Sequence, residues 1–139
     1  MWYNNSTIYQ IYPLGYCGAP KANDGITVSR IKRIADAIPH LVKLNVRAVY
    51  FCPVFESSTH GYDTADFRKI DVRLGSNEEF RELCNKLHEN GIRVIIDGVF
   101  NHVGRAHPWF ADVERNGPQS PYAGLFRIDW AGWSPGDQV

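Results

Sequence analysis

Two short stretches of the chain, HGYD and DGVFNH, concentrate side chains that can do chemistry. They contain His60, Tyr62, Asp63, Asp97, Asn101 and His102. Carboxylates and imidazoles transfer protons and bind metal ions, amides hydrogen-bond polar ligands, and a tyrosine ring stacks on flat apolar surfaces. The second stretch directly follows the apolar run IRVII, so its polar groups stand at the end of a buried strand. This placement indicates a site built where strands end.

Three apolar runs predict the strands that position these residues, over residues 8–13, 46–55 and 92–100. The second and third runs are nearly continuous, which is typical of strands covered on both faces in a parallel sheet. Two helices are predicted between the strands. One spans residues 29–44, with a kink or a restart at Pro39. The other begins with a capping box at Ser76 and ends at the Asn90–Gly91 pair.

The order strand, helix, strand, helix, strand predicts a parallel α/β fold with right-handed crossovers. In a (β/α)₈ TIM barrel the loops after the strands form the active site, and both chemical stretches lie in such loops. A full barrel takes about 250 residues, whereas this chain has 139. We therefore predict an α/β fold with about three βα units, the N-terminal portion of a barrel, over residues 1–103. Residues 104–139 are predicted to begin a separate loop excursion with no clear period.

Composition excludes several classes of partner. The formal net charge is zero, which gives no basic stripe for nucleic acid and no charged surface for a membrane. The three cysteines form no C-x-x-C pair, so neither a disulfide framework nor a zinc site is indicated. No signal peptide or membrane span is recognisable in the sequence, and we expect a cytoplasmic location.

Several motifs resemble one enzyme family. The stretches IYQIYP, AIPHLVKLNVRAVYFCPVFESSTHGYDTADF and LGSNEEFRELCNKLHENGIRVIIDGVFNHVG resemble the α-amylase superfamily, glycoside hydrolase family 13. The chain looks most like the bacterial maltodextrin-acting members, with the motifs in the same order and spacing. DGVFNH resembles the first conserved region of that family. NGPQSPYAGLFRIDW resembles the segment by which such enzymes leave the barrel to begin their B domain.

The resemblance implies a substrate-holding role for most of the six residues. Tyr62 would stack on the sugar at the cleavage subsite, and His60 and His102 would hydrogen-bond its hydroxyls. Asp63 matches a position that contacts a sugar end or an active-site arginine in some relatives. Asp97 matches a supporting aspartate and not the nucleophile.

The metal content that the resemblance implies is variable. Asn101 matches a calcium ligand in many members, although other members lack that ion. We therefore expect no required cofactor, with calcium at Asn101 as the one metal hypothesis.

The reacting carboxylates are the largest departure from the family. Retaining glycosidases need a nucleophile and an acid/base about 5 Å apart. In the family these residues lie on later strands, and residues 104–139 offer no counterpart. We expect the isolated chain to bind an α-glucan or maltooligosaccharide, to need the rest of the barrel and to be inactive alone.

Two alternatives remain open from the sequence. A metal-dependent hydrolase would use Asp97, His102, His60 and His107 as ligands, although no H-x-H or H-E-x-x-H pair is present. Metal content after purification tests that class. A non-catalytic carbohydrate-binding half-barrel is the other alternative, and the coding sequence after Val139 separates it from a truncated enzyme.

Overall fold

The computed structural model describes residues 1–131. A parallel sheet of three strands lies at the centre of the fold. The strands are β1 (Thr7–Ile11), β2 (Val46–Phe51), β3 (Phe55–Ser57), β4 (Thr64–Ile70) and β5 (Arg93–Ile96). The α-helices are α1 (Pro13–Tyr16), α2 (Lys32–Ala35), α3 (Ile38–Lys43), α4 (Asn77–Glu89) and α5 (Pro108–Asn116). Two 3₁₀ turns follow, at Gly117–Gln119 and Ala123–Leu125. Residues 132–139, the end of the predicted excursion, lie outside the described residues.

The sheet has the order β1-β2-β5, and both pairings are parallel. This confirms the parallel α/β architecture predicted from the apolar runs. In the observed register Ile11 pairs with Phe51, and Phe51 pairs with Ile96. The last residues of all three strands are therefore level, so the segments that follow them start from one edge of the sheet.

Helices cover one face of this sheet and form the apolar core. Most of its buried side chains come from β1, β2 and the helices, with Ile92 from the turn between α4 and β5; they include Ile11, Ile34, Leu41, Val49, Phe51, Leu83, Leu87 and Ile92. Between residues 1 and 131 no helix is long and apolar enough to cross a membrane. Cys17 and Cys52 are buried and Cys84 is half-buried, all as free thiols.

Helix α4 begins as the sequence predicts. The Ser76 hydroxyl accepts the Glu79 N–H at 3.2 Å, and the Glu79 carboxylate accepts the Ser76 N–H at 3.0 Å. The same carboxylate accepts from the Ser29 hydroxyl and lies 3.0 Å from Lys32 Nζ. These three interactions hold the pKa of Glu79 below its usual value. One capping residue thus joins α4 to the segment that begins α2.

Three predicted boundaries were wrong in length. The first strand ends at Ile11, because Pro13 starts α1. The second ends at Phe51 and not at residue 55, because a proline at 53 cannot donate to a ladder. The third ends at Ile96, since after the Asp97 N–H, which still bonds Phe51 O, residues 98–100 turn out of the sheet. The predicted helix over 29–44 is two helices, and Pro39 lies in the first turn of the second, as the expected restart.

The sequence reading did not predict strands β3 and β4 or helices α1 and α5. Strands β3 and β4 form an antiparallel pair, separate from the parallel sheet. Its register shifts twice within three residues, so no clean alternation of apolar and polar residues marks it. Helix α5 lies in the stretch that was expected to have no period, and the His107 side chain caps it by accepting the Trp109 N–H.

Candidate functional site

The candidate site lies at the level edge of the parallel sheet. Cys52 and Asp97 follow the last residues of β2 and β5. Their amides extend the ladder, because Cys52 N–H donates to Ile11 O and Asp97 N–H donates to Phe51 O, each at 2.9 Å. The backbone therefore fixes both side chains at the rim before any side-chain contact is made.

Asp97 holds two tyrosines. The Tyr50 hydroxyl hydrogen-bonds the Asp97 carboxylate, and this bond, with some burial, raises the pKa of Tyr50. The Tyr62 hydroxyl lies against both the Cys52 thiol and Asp97. Burial, followed by the hydrogen bond to Cys52, raises the pKa of Tyr62 to about 12. Tyr62 is nevertheless 40% exposed, so its hydroxyl is fixed while part of its ring faces solvent.

The turn before Tyr62 is closed by Asp63. Its Oδ2 accepts the Thr59 hydroxyl at 2.8 Å, and its Oδ1 accepts the Gly61 N–H at 3.2 Å. His60 Nδ1 accepts the Tyr62 N–H at 3.2 Å, which in the neutral ring places the proton on Nε2. His60 is exposed, with Nδ1 3.6 Å from Asp63 Oδ1. The carboxylate thus shapes the loop that presents an imidazole and a phenol ring.

The loop after β5 docks on this turn. His102 Nε2 lies 2.9 Å from Tyr62 O, and Gly104 N–H donates to Thr64 O at 2.8 Å. A side chain at Gly104 would collide with the backbone of Asp63, since a Cβ there would lie 2.3 Å from Asp63 O. The two chemical stretches of the sequence are therefore brought together, as predicted from their places after strands.

A buried ion pair, Arg73 with Asp71, holds the same turn from the protein interior. The Arg73 and Asp71 side chains are 0% and 1% exposed and meet through two hydrogen bonds, of 2.8 and 2.7 Å. Arg73 Nη1 donates to the carbonyls of Pro20, Lys21 and Thr59 at 3.0, 3.0 and 2.7 Å. The guanidinium therefore ties the loop after β1 to the loop that carries His60 and Tyr62.

The ligand set of the metal-hydrolase alternative is not assembled. No group of three or more His, Cys, Asp or Glu side chains within residues 1–131 is placed to hold a metal ion. His107, one of its four supposed ligands, caps α5 and is 5% exposed, with its ring beside those of Phe67 and Trp109. Asn101, the residue predicted as a possible calcium ligand, is exposed in the loop after β5.

Sequence reasoning missed four residues that shape the site, which are Gln10, Tyr50, Cys52 and Arg73. Gln10 Nε2 donates to Cys52 Sγ at 3.1 Å, which completes a chain from β1 through Cys52 to Tyr62. Tyr50 and Arg73 were also overlooked. A glutamine inside IYQIYP was the one available signal, because a polar side chain within an apolar strand needs a partner. Arg73 stands among apolar residues in IDVRL, where its burial follows from contacts far along the chain.

Comparisons with known proteins agree with this geometry. The family model "Alpha amylase, catalytic domain" matches residues 10–138. A cyclomaltodextrinase from a Bacillus species is 36% identical over 91% of this chain and 26% of its own length. The intracellular maltogenic amylase of Bacillus subtilis is 35% identical over 91% of this chain and 24% of its own length. The chain thus spans about a quarter of the length of these two relatives.

Solved structures show the same relationship. A debranching enzyme from Nostoc punctiforme superposes with a TM-score of 0.78 at 32% identity, covering 96% of this chain and 31% of that one. Neighbours of this kind are TIM-barrel enzymes, and the parallel sheet corresponds to the N-terminal part of their barrel. Since the family model covers nearly all of the chain and the match extends to the fold, this chain belongs to the α-amylase family of glycoside hydrolases.

Proposed function

We propose that this chain is the substrate-holding N-terminal part of the catalytic domain of an α-amylase-type retaining glycoside hydrolase that acts on α-glucans or maltodextrins. The observation that carries the proposal is Tyr62, whose hydroxyl is anchored by Cys52 and Asp97 while its ring is 40% exposed at the rim. A glucosyl residue presents an apolar face to such a ring and hydroxyls around its edge.

Two imidazoles flank this ring and suit the sugar hydroxyls. His60 uses Nδ1 for the Tyr62 N–H, and His102 uses Nε2 for the Tyr62 carbonyl. Each ring therefore keeps its other nitrogen without a protein partner among residues 1–131. An imidazole nitrogen can donate to a hydroxyl or accept from it. Tyr62, His60 and His102 are accordingly assigned to substrate binding, with Asp63 as the residue that holds the loop of His60 and Tyr62.

The two carboxylates near Tyr62 are assigned a supporting role. Asp97 accepts from Tyr50 and Tyr62, and Asp63 accepts from Thr59 and Gly61. A nucleophile must keep an oxygen directed at the sugar, whereas the oxygens of these two carboxylates accept hydrogen bonds from protein groups. We propose that the reacting carboxylates come from further strands of the barrel and that the chain alone does not turn over substrate.

The calcium hypothesis gains no support from the described residues. Calcium takes six to eight oxygen ligands, and Asn101 is an exposed single donor outside any group of carboxylates within residues 1–131. We assign no step to a metal. We also propose a cytoplasmic location, which agrees with the printed name of the intracellular relative.

Binding of maltotriose to the chain tests the substrate-holding role. Replacing Tyr62 with alanine removes the ring, and we expect the affinity to fall about tenfold, the value of a well-placed aromatic contact. Tyr62→Phe keeps the ring and should keep most of the affinity. Tyr16→Ala, an exposed tyrosine on α1, is the matched control. Titration followed by NMR gives the dissociation constants, and equal constants for the Tyr62→Ala and Tyr16→Ala variants would contradict the role.

Turnover tests the second half of the proposal. The chain should release no reducing sugar from maltodextrin or soluble starch above a buffer blank, while the product of a longer reading frame that supplies the later strands should release it. Hydrolysis by the chain at enzyme-like rates would refute the assignment of Asp97 as a supporting residue.

A further inference from the structure

A cleft lies at the opposite end of the parallel sheet from the candidate site. Its volume is about 620 Å³. Among its lining residues, Ser6 precedes β1, Arg47 is the second residue of β2 and Arg93 is the first residue of β5. Trp2, in the segment before β1, and His88, near the end of α4, also line it. The three strands therefore run from this cleft towards the rim that carries Tyr62.

The cleft is positively charged, and its two arginines have no acidic partner. No aspartate or glutamate is among the described residues that line it. Several cationic side chains elsewhere in the chain lie 2.7–3.9 Å from a carboxylate, namely Lys32, Arg68, Lys69, Arg73 and Arg105. Within residues 1–131 neither Arg47 nor Arg93 forms such an ion pair, and both are exposed. Their charge is therefore available to an anion from solvent.

The fold directs both arginines. At the shift of register between Thr7 and Ile8, β2 has one more residue than β1, and that residue is Arg47. An extra residue of this kind leaves the regular alternation of the strand, which re-aims its side chain. Arg93 Cζ lies 5.0 Å from the centroid of the Trp2 ring. This cation–π contact orients the second guanidinium.

Trp2 gives the cleft an apolar surface beside the charge. The Ser6 hydroxyl donates to the Trp2 carbonyl at 2.6 Å, which closes the turn before β1. Trp2 is nevertheless 45% exposed, so part of its ring is free to contact a ligand. A volume of about 620 Å³ also falls within the roughly 300–1,000 Å³ of small-molecule sites, and one phosphate ion would fill only part of it.

We propose that this cleft binds an organic phosphate, either a sugar phosphate or a nucleotide, whose phosphate group lies between Arg47 and Arg93 and whose organic part packs on Trp2. A guanidinium can bind two phosphate oxygens at once, and it stays charged throughout the pH range of proteins. The ring of His88 supplies a further hydrogen bond. The inference is independent of the proposed function, because the site at Tyr62 lies at the other end of the strands.

Titration calorimetry at constant ionic strength tests the proposal, with inorganic phosphate, glucose 6-phosphate and AMP as probes. At least one organic phosphate should bind more tightly than inorganic phosphate, and the tighter of the two identifies the organic part. Arg47→Gln and Arg93→Gln should each weaken its binding about tenfold, the effect of losing a charge-assisted hydrogen bond. Trp2→Ala should lower the affinity for the organic phosphate more than that for inorganic phosphate.

Two control variants locate the binding. Arg81→Gln removes the same charge from an exposed position on α4 outside the cleft, and it should bind as the unmodified chain does. Tyr62→Ala should also leave phosphate binding unchanged, and a loss there would overturn the proposal by placing the ligand at the rim. The proposal equally fails if neither organic phosphate binds, if inorganic phosphate binds as tightly as both, or if the Arg47, Arg93 and Arg81 variants have equal constants. Thermal melts of each variant identify any loss that comes from unfolding.

Discussion

In the proposed site, Asp97 is a carboxylate at the edge of the sheet that supports its neighbours and does not react. Its backbone amide is fixed by Phe51 O, and its side chain accepts from Tyr50 and Tyr62. Asp97 is the largest of the influences that raise the pKa of Tyr50, whereas burial and then Cys52 raise the pKa of Tyr62 ahead of Asp97. With its pKa raised to about 12, Tyr62 stays a neutral phenol over the whole physiological range.

His107 makes stability depend on pH. Burial lowers the pKa of His107 in the folded chain, whereas the unfolded chain keeps a value of about 6.5. The unfolded state binds the proton more tightly, so the free energy of unfolding falls as the pH drops below about 6.5. We expect the melting temperature to fall between about pH 7.5 and about pH 5.

His107→Asn should flatten that part of the pH profile, because asparagine caps a helix without titrating. His40→Asn is the control, as His40 is an exposed histidine on α3. Melting curves at several pH values measure the slope. A His107→Asn profile as steep as that of His40→Asn would show that the buried imidazole is not the source.

At the scale of elements, the chain contains two Asp-x-Arg pairs that differ in burial. Asp71 and Arg73 are buried after β4, whereas Asp66 and Arg68 lie on β4 with 30% and 87% of their side chains exposed. Arg73→Met leaves the Asp71 charge buried without its main partner, and we expect a loss of about 3–5 kcal/mol in the free energy of unfolding. Arg68→Met should change the melt little, because water screens an exposed pair.

Urea denaturation of both variants measures this difference. The two share residue types and spacing, so composition cannot account for a gap between them. Similar midpoints for Arg73→Met and Arg68→Met would mean that the buried pair does not hold the two loops.

The sequence predicts those elements whose signals are local. The capping box fixes the start of α4, and continuous apolar runs identify the strands of a parallel sheet. The β3–β4 pair is close in sequence but has no clear local signal, since its register is broken twice and its strands are held by Asp71 and by the loop after β5. Likewise, the six site residues were visible by type, whereas Cys52, Tyr50 and Arg73 gain their roles from partners distant in sequence. The division at residue 103 stays a prediction.

At the scale of the whole molecule, two strands of the parallel sheet are paired on one side only. β1 and β5 each have one neighbour within the described residues. Exposed apolar side chains lie on or near these edges, with Ile8 on β1, Ile96 on β5 and Phe100 80% exposed just after it. Unpaired edges beside apolar surface favour association with other chains.

We therefore expect the chain to self-associate at micromolar concentrations, with an apparent mass that rises with concentration in light scattering. Phe100→Lys should reduce this association, because a charge near the β5 edge opposes strand addition. Leu125→Lys, which changes an exposed residue far along the chain, is the control. A monodisperse monomer with a cooperative melt at all concentrations would contradict the expectation.

The hydrogen bond from Gly104 N–H to Thr64 O allows the opening of the site to be measured by hydrogen exchange. That amide is shielded only while the loop after β5 rests on the turn before Tyr62, so its exchange with deuterium proceeds each time the two loops separate. The amides of Cys52 and Asp97 belong to the sheet ladder and exchange only when the sheet itself opens. The ratio of these exchange rates reports how often the rim comes apart while the barrel segment beneath it stays folded.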